Sequence, residues 1–302
     1  MLNQRFGIEL EYNSFSDNSE ENKLPSGILE AADILREALN KTIYVSTWHT
    51  TVGNDYWVIK PDSSCGFEVC SPILKNNNDI SDLKKVIQSL RKKGKFISDK
   101  RCSFHVHFEL KETSNEYLSN LIISWVRLEL FFFSLLPNYR KQTNYAQMLS
   151  LSPLFFCNKD LNNFKLNQEM VVNFIKEYKF YSINLYHFKK SNRNTIEFRV
   201  MDSSACLNED YAIYWIYLLN KFMKACSVNN YFEQGLLNLD LIKWASMEES
   251  LSFLKIKKND NLYNFCKTRF YNYSLNTLDL KMSVFKNIFE SYIDNSKKYF
   301  EN

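Results

Sequence analysis

Two of the four histidines in this chain lie two residues apart, in a segment that alternates apolar and polar residues. This alternation over residues 101–109 is typical of a β-strand with one buried face. Side chains two apart on a strand point to the same side, so His105 and His107 share one face. Such a pair could bind a metal ion, place one metal ligand beside one substrate contact, or form hydrogen bonds in the core.

Two other short segments carry charged residues in the same alternation. One places Glu9 and Glu11 on a common face, and the other does so for Glu197 and Arg199. Carboxylates this close repel each other unless a cation lies between them, and their oxygens suit Mg²⁺ or Mn²⁺. Taken singly, the acids fit a solvated strand face, and the Glu197–Arg199 pair fits a simple ion pair. Together, the three segments predict one charged sheet face that binds metal ions and a phosphate-bearing substrate.

A turn between two further predicted strands adds Lys60, Asp62 and Glu68. Glu68 lies between Phe67 and Val69, so we expect its side chain to point away from the apolar side, as those of the other acids do. Asp62 could belong to the charged face, or it could only cap the turn, which is a common use of aspartate.

The hydrophobic pattern predicts the elements that position these residues. Strands are expected over about residues 5–12, 42–48, 55–60, 66–70, 101–109, 180–188 and 194–201, the last two forming a hairpin. Helices are expected over about residues 26–40, 81–93, 114–136 and 168–178, with residues 138–166 irregular and a helical pattern from residue 208 onwards.

These elements predict an α+β fold, in which a mostly antiparallel, curved sheet carries helices on its apolar back. We expect residues 1–205 to form the catalytic core and residues 206–302 to form a helical region packed on it, without a clear linker between them.

Composition excludes several classes of protein. The net charge is only +4 and the basic residues are spread out, so no nucleic-acid partner is expected. The apolar stretch over residues 117–136 carries Arg127 and Glu129 near its middle, which favours a buried helix over a membrane span.

The seven cysteines show no CxxC spacing, and no apolar secretion signal precedes the first strand. We therefore expect reduced thiols in a cytoplasmic protein without a membrane partner. Three of these residues, Cys65, Cys70 and Cys102, lie in or beside predicted strands, where packing is their expected role.

The charged segments occur in a characteristic order along the chain: GIELEY, WVIKPDSS, FEVCSPIL, CSFHVHF, INLYHF and TIEFRVMD. This order resembles the amidoligase family, whose members are carboxylate–amine ligases with the fold of glutamine synthetase and glutamate–cysteine ligase. The resemblance covers roughly residues 5–205. It implies a glutamine synthetase-like sheet and a reaction that joins a carboxylate substrate to an amine acceptor.

The resemblance also implies a mechanism and a set of site residues. ATP phosphorylates the carboxylate, and the amine attacks the acyl phosphate, with Mg²⁺ or Mn²⁺ offsetting the phosphate charge. The family pattern places metal ligands at Glu9, Glu11, Glu68, Glu197 and one of His105 and His107. It places phosphate contacts at Arg199 and Lys60, an acid that orients or deprotonates the amine at Asp62, and a substrate or nucleotide contact at Asn184.

The sequence departs from the family at one position. Family members often carry an arginine shortly before the Asn-Leu segment, but here Lys179, Phe180 and Tyr181 precede Asn184. Another arginine could take over substrate binding, and the candidates are Arg193 and Arg140.

Two other functions stay open. A zinc hydrolase could use His105, His107 and a carboxylate, although this leaves Glu9, Glu11 and Arg199 without a role. A binding protein could keep the fold without turnover. The substrate could be an amino acid, a peptide, a protein or a cell-wall peptide, and the relatives of this fold include both oligomers and monomers.

Overall fold

The computed structural model contains two compact units that alternate along the sequence. The first unit comprises residues 1–109 and 197–216, and the second comprises residues 110–196 and 217–302. The predicted domain boundary at residue 205 stays a prediction. The structure describes residues 4–14, 26–47, 55–93, 96–141, 143–152, 168–191, 194–227, 245–274, 292–294 and 296–301.

The first unit is built around a mostly antiparallel sheet, which confirms the predicted α+β class. Its strands are Phe6–Ser14 (β1), Ile43–Val45 (β2), Trp57–Asp62 (β3), Gly66–Cys70 (β4), Phe96–Ile97 (β5), Ser103–Glu109 (β6) and Thr195–Asp202 (β8). They lie in the order β2-β3-β4-β1-β6-β8, and β5 pairs with β1. β1 is antiparallel to β4, β5 and β6, and β3 is antiparallel to β4, whereas β2 and β3 are parallel. The central strand β1 therefore has a neighbour on each side that can present side chains beside its own.

Alternation along the strands sends their apolar residues into the core. Ile8, Leu10, Val106, Phe108 and Phe198 are all buried, and the ring of Phe108 meets that of Phe198 edge to face at 6.0 Å. Burial of each such side chain stabilises the fold by about 1.5–3 kcal/mol. This core fixes the strand register and thereby fixes which polar residues meet on the opposite face.

Two helices of the first unit are amphipathic. Helix α1 spans Ser26–Leu39 and contacts β2, β3 and helix α2, which spans Asn77–Lys92. The predicted start of α2 at residue 81 was too late. The Asn76 side chain accepts hydrogen bonds from Asn78 N and Asp79 N, and the Asp79 carboxylate accepts one from Asn76 N. This capping box starts the helix four residues earlier.

The second unit is mainly helical. Its helices are α3 (Asn115–Ser134), α4 (Asn138–Lys141), α5 (Gln168–Glu177), α6 (Tyr186–Ser191), α9 (Met247–Phe253) and α10 (Asn261–Ser274), with a 3-10 helix at Leu149–Leu151 and a short strand, β7, at Ile183–Asn184. Helices α7 (Ser204–Leu207) and α8 (Glu209–Cys226) follow β8, and α8 passes from the first unit into the second.

Helix α3 is buried along almost its whole length, as its apolar sequence predicts. Trp125 stacks on Phe132 at a centroid distance of 4.3 Å and meets Phe222 edge to face at 5.4 Å. None of the helices in the described part of the chain combines the length and hydropathy needed to cross a bilayer.

The hairpin predicted over residues 180–201 was wrong in its first strand and in its connection, whereas β8 confirms its second strand. Residues 186–191 form helix α6, and only Ile183–Asn184 is extended before it. Asn184 Oδ1 accepts a hydrogen bond from Tyr186 N at 3.0 Å, and this cap favours a helical turn over a strand. Similarly, α4 and the 3-10 helix lie within residues 138–166, which were expected to be irregular.

Candidate functional site

The register of the neighbouring strands brings most of the predicted site residues onto one face of the sheet in the first unit. Glu9 on β1 lies opposite Cys70 on β4 and opposite His105 on β6. One step along β1, Glu11 lies opposite Glu68, which in turn lies opposite Lys60 on β3. We call this group of side chains, together with His107, Glu197 and Arg199, the acidic face.

Glu9 is the central residue of the acidic face. Its Oε2 lies 3.0 Å from His105 Nδ1, and its Oε1 lies 3.2 Å from His107 Nε2. The side chain of Glu9 is 21% exposed, whereas that of His105 is 3% exposed. Glu9 therefore lies where buried histidine rings and the accessible part of the face meet.

Ser103 links Glu11 to His105. Glu11 Oε2 accepts hydrogen bonds from Ser103 N and Ser103 Oγ, each at 2.7 Å, and Ser103 Oγ lies 2.7 Å from His105 Nε2. Three side-chain contacts thus connect Glu11, Ser103, His105 and Glu9 in a row. One hydroxyl hydrogen and one N–H of a neutral imidazole supply only two hydrogens for three contacts, so an added proton or cation would complete the row.

β8 contributes the other charged pair. Arg199 Nη1 donates a hydrogen bond to Glu197 Oε1, and the same oxygen lies 3.5 Å from His105 Nδ1. The Glu197 side chain is 3% exposed and that of Arg199 is 16% exposed. The arginine therefore compensates a buried carboxylate while part of its side chain stays accessible.

On the β4 side, Glu68 has a different environment. Its Oε1 contacts Lys60 Nζ in an ion pair and accepts a hydrogen bond from Cys70 Sγ at 3.5 Å. Burial and then the negative charge of Glu9 raise the pKa of Glu68 to about 7, although Lys60 acts in the opposite direction. Burial and the neighbouring Glu68 likewise raise the pKa of the Cys70 thiol.

The pKa values of the two histidines are shifted in opposite directions. Burial, followed by the charge of Arg199, lowers the pKa of His105 to about 4. Burial also disfavours a charge on His107, but the carboxylates of Glu9 and Glu197 outweigh it and raise the pKa of His107. We therefore assign a neutral ring to His105 near pH 7, whereas the carboxylates around His107 favour its charged form.

Glu9 and Glu197 are the acids that stay ionised. Burial opposes ionisation of both, but His107 and His105 hold the pKa of Glu9 well below its usual value. For Glu197, burial is outweighed first by Arg199 and then by the histidines, and its pKa is lowered. An ionised carboxylate at each position is the form that a metal ion requires.

Two sets of potential metal ligands share Glu9. In the first set, ligand atoms of Glu9, His107 and Glu197 lie within 4.8 Å of one another. In the second set, those of Glu9, Glu68 and Cys70 do so. Carboxylate oxygens and imidazole nitrogen suit divalent cations, so the acidic face fits the metal ions predicted from the sequence. Both sets omit His105, whose two ring nitrogens contact Ser103 and Glu9.

Asp62 lies at the end of β3, where it holds the turn before β4. Its Oδ1 accepts hydrogen bonds from Ser64 N at 2.7 Å and from the Ser64 hydroxyl, and lies 3.6 Å from Cys65 Sγ. These contacts match the turn-capping alternative, and a role of Asp62 towards an amine stays a prediction.

Asn184 belongs to the second unit. Its Nδ2 donates to Lys179 O at 3.1 Å while its Oδ1 caps α6, so the side chain has a local structural role. Of the two arginines expected to replace the missing one, Arg140 is buried in the second unit, and Arg193 lies outside the described residues.

Sequence reasoning missed two residues of this site. Ser103 received no role and Cys70 only a packing role, yet Ser103 connects Glu11 to His105, and Cys70 contacts Glu68. The signal was present, because Ser103 precedes His105 by two residues and Cys70 follows Glu68 by two. The same alternation that located the histidines therefore places both residues on their face.

Comparison with known proteins assigns the chain to a protein family. The family described as "Putative amidoligase enzyme" matches residues 2–223. The chain therefore belongs to this amidoligase family. No curated protein matches the chain.

The solved structures that are similar to the chain include the following three. A bifunctional glutathione synthetase from Pasteurella multocida is 10% identical with a TM-score of 0.40, and the match covers 90% of this chain but only 47% of that one, about half its length. Glutamate–cysteine ligase from Francisella tularensis, solved in complex with AMP, is 11% identical with a TM-score of 0.46. This match covers 99% of this chain and 88% of that one. A complex of the prokaryotic ubiquitin-like protein Pup with its ligase PafA is 9% identical with a TM-score of 0.38. This match covers 99% of this chain and 65% of that one.

Proposed function

We propose that the chain is an ATP- and Mg²⁺-dependent carboxylate–amine ligase that works through an acyl phosphate. In the overall reaction a carboxylate, an amine and ATP give an amide, ADP and phosphate. The carboxylate substrate would be an amino acid, a peptide, a protein or a cell-wall peptide. The observation that carries the proposal is that two sets of metal ligands share Glu9 in a chain of the amidoligase family.

The acids of the acidic face would hold the cations. Divalent ions supply positive charge that offsets the triphosphate and the incoming carboxylate. Glu9, Glu197 and His107 offer one group of ligands, and Glu68 offers an oxygen on the other side of Glu9. Ser103 holds Glu11 through two hydrogen bonds, so this carboxylate is oriented before any ligand binds.

Arg199 and Lys60 would bind the phosphoryl groups. A guanidinium forms bidentate hydrogen bonds with phosphate oxygens, and Arg199 is fixed by its contact with Glu197. The Lys60 side chain is 37% exposed and can therefore reach a bound anion. These two cations would stabilise the charge of the transferring group.

The remaining roles rest on the family resemblance. Asp62 would orient the amine or take its proton, and the hydrogen bonds that it accepts from Ser64 give it a fixed position. Asn184 would contact substrate or nucleotide. A cytoplasmic location, the absence of a nucleic-acid partner and the possibility of an oligomer stay predictions.

The proposal is tested by titrating the full chain with ATP in a calorimeter, with and without Mg²⁺. We expect ATP binding that requires Mg²⁺ and is lost in Glu197→Gln, because this substitution removes a ligand and the partner of Arg199. The control is Glu37→Gln, whose parent carboxylate is exposed on α1. Absence of ATP binding at every Mg²⁺ and Mn²⁺ concentration would disprove a stand-alone ligase.

One observation favours a second candidate, a zinc hydrolase. Glu9, His107 and Glu197 give the three protein ligands that a catalytic zinc site needs. Tightly held zinc without ATP affinity would support it. The version with both histidines as ligands has less support, since each ring nitrogen of His105 contacts another side chain of the acidic face.

A further inference from the structure

Cys70 lies directly opposite Glu9 in the pairing of β1 with β4. It follows Glu68 by two residues on the same strand, so the two side chains share a face. The sulfur of Cys70 and an oxygen from each of Glu9 and Glu68 all lie within 4.8 Å of one another. Three potential ligand atoms from two adjacent strands, two carboxylate oxygens and one sulfur, therefore lie close together.

The Cys70 thiol differs from the other cysteines beside the acidic face. Its Sγ lies 3.5 Å from Glu68 Oε1, and the residue is only partly buried. Cys65 instead directs its Sγ towards Asp62, at 3.6 Å, and Cys102 directs its own towards Asp99, at 4.0 Å. Cys70 is thus the cysteine whose sulfur belongs to a ligand set that includes Glu9.

A sulfur ligand changes which ions the set can hold. Thiolates are soft ligands that favour transition-metal ions, whereas Mg²⁺ prefers oxygen alone. We propose that Cys70, Glu9 and Glu68 form a cation position for a divalent transition-metal ion. Binding forms a sulfur–metal bond while the thiol proton passes to solvent. The inference rests on the cation-dependent function proposed above, which it refines by giving the two sides of Glu9 different metal preferences.

Cobalt(II) is the probe, because a cobalt–thiolate bond produces a sulfur-to-metal charge-transfer band in the near ultraviolet. The full chain is titrated with Co²⁺ alone, and binding is followed by absorption and by metal analysis after gel filtration. We expect a charge-transfer band in the wild type and its loss in Cys70→Ser. Cys65→Ser is the matched control and is expected to keep the band.

Two further variants separate a ligand from a packing residue. Cys70→Asp is expected to bind Co²⁺ without the sulfur band, because it replaces the thiolate by a carboxylate. Glu68→Gln is expected to weaken the band by removing a ligand from the same set. Circular dichroism of each variant establishes that it is folded.

Bound Co²⁺ without a sulfur band in the wild type overturns the proposal, and so does a band that persists in Cys70→Ser. The proposed function fails separately, in the ATP titration. A chain that shows a Cys70-dependent band but no ATP binding would keep this metal site and lose the ligase.

Discussion

The two units accommodate a buried carboxylate in opposite ways. In the second unit, Glu129 is fully buried on α3, and burial raises its pKa. Its oxygens accept hydrogen bonds from Leu149 N at 2.7 Å, from Ser150 N at 2.7 Å and from Ser182 Oγ at 2.5 Å. Donors supplied by the protein surround this acid, so its role is to hold the 3-10 helix and residue 182 against α3.

In the first unit, Glu68 is almost equally buried but lies beside other acids. Its contacts are the Lys60 ammonium and the Cys70 thiol, and the charge of Glu9 adds to the effect of burial in raising its pKa to about 7. An acid held by fixed donors stabilises a fold, whereas an acid held among other acids costs stability and provides a site for a cation. Burial alone therefore does not distinguish a structural carboxylate from a functional one, but the neighbouring donors do.

The largest expected effect contrasts these two acids in the absence of metal. Glu129→Ala leaves three donors without their acceptor, and we expect it to lower the free energy of unfolding by about 3–5 kcal/mol. Glu68→Gln is expected to raise stability at pH 8. The folded-state pKa of Glu68 lies above the unfolded value, so the wild type loses stability as pH rises through about 7, and the variant does not. Guanidinium unfolding in EDTA at pH 6 and pH 8 measures both effects.

The same two variants should also differ in how much metal binding stabilises them. Mg²⁺ or Mn²⁺ is expected to stabilise the wild type and Glu129→Ala, because the acidic face is intact in both, and removal of metal with EDTA should reverse this. Glu68→Gln should gain less. Equal destabilisation by the two substitutions in EDTA would contradict the contrast between a structural and a functional acid.

A buried lysine extends the comparison to the opposite charge. Lys141 in the second unit donates to Tyr273 O at 3.1 Å, and burial lowers its pKa to about 7. The unfolded chain therefore binds one more proton than the folded chain above about pH 7, so stability rises with pH, by up to about 1.4 kcal/mol per unit. Lys141→Met should remove this slope in urea unfolding at pH 7, 8 and 9, whereas exposed Lys111→Met should keep it. An unchanged slope in Lys141→Met would mean that another group causes it.

Sequence alone could predict the acidic face because it depends on strand alternation. Glu9, His105, His107 and Glu197 lie in strands with strict apolar spacing, and the core then fixes their register. The choice between the histidines could not be predicted, because it depends on how each ring is oriented: His105 contacts Ser103 on its own strand and Glu9 across the sheet.

The errors in the fold have local causes. The strand predicted over residues 180–188 follows an apolar pattern, but the side chain of Asn184 caps a helix there and overrides it. The early start of α2 depends on a capping box between Asn76 and Asp79, and its polar residues give no hydrophobic periodicity. Helix caps therefore caused these errors in the predicted secondary structure, and packing did not.

The smallest expected effect concerns the lysine that contacts Glu68. In the second unit the donors to Glu129 are fixed by the fold, but Lys60 is 37% exposed and a cation that binds Glu68 must compete with it. Lys60→Met should therefore strengthen Mn²⁺ binding by about fivefold, or about 1 kcal/mol, a value that allows for solvent screening of the partly exposed charge. Calorimetric titration of wild type, Lys60→Met and the exposed control Lys75→Met measures this. Unchanged or weaker Mn²⁺ binding in Lys60→Met would show that the lysine does not compete for Glu68, and that this carboxylate, like Glu129, is satisfied by the protein itself.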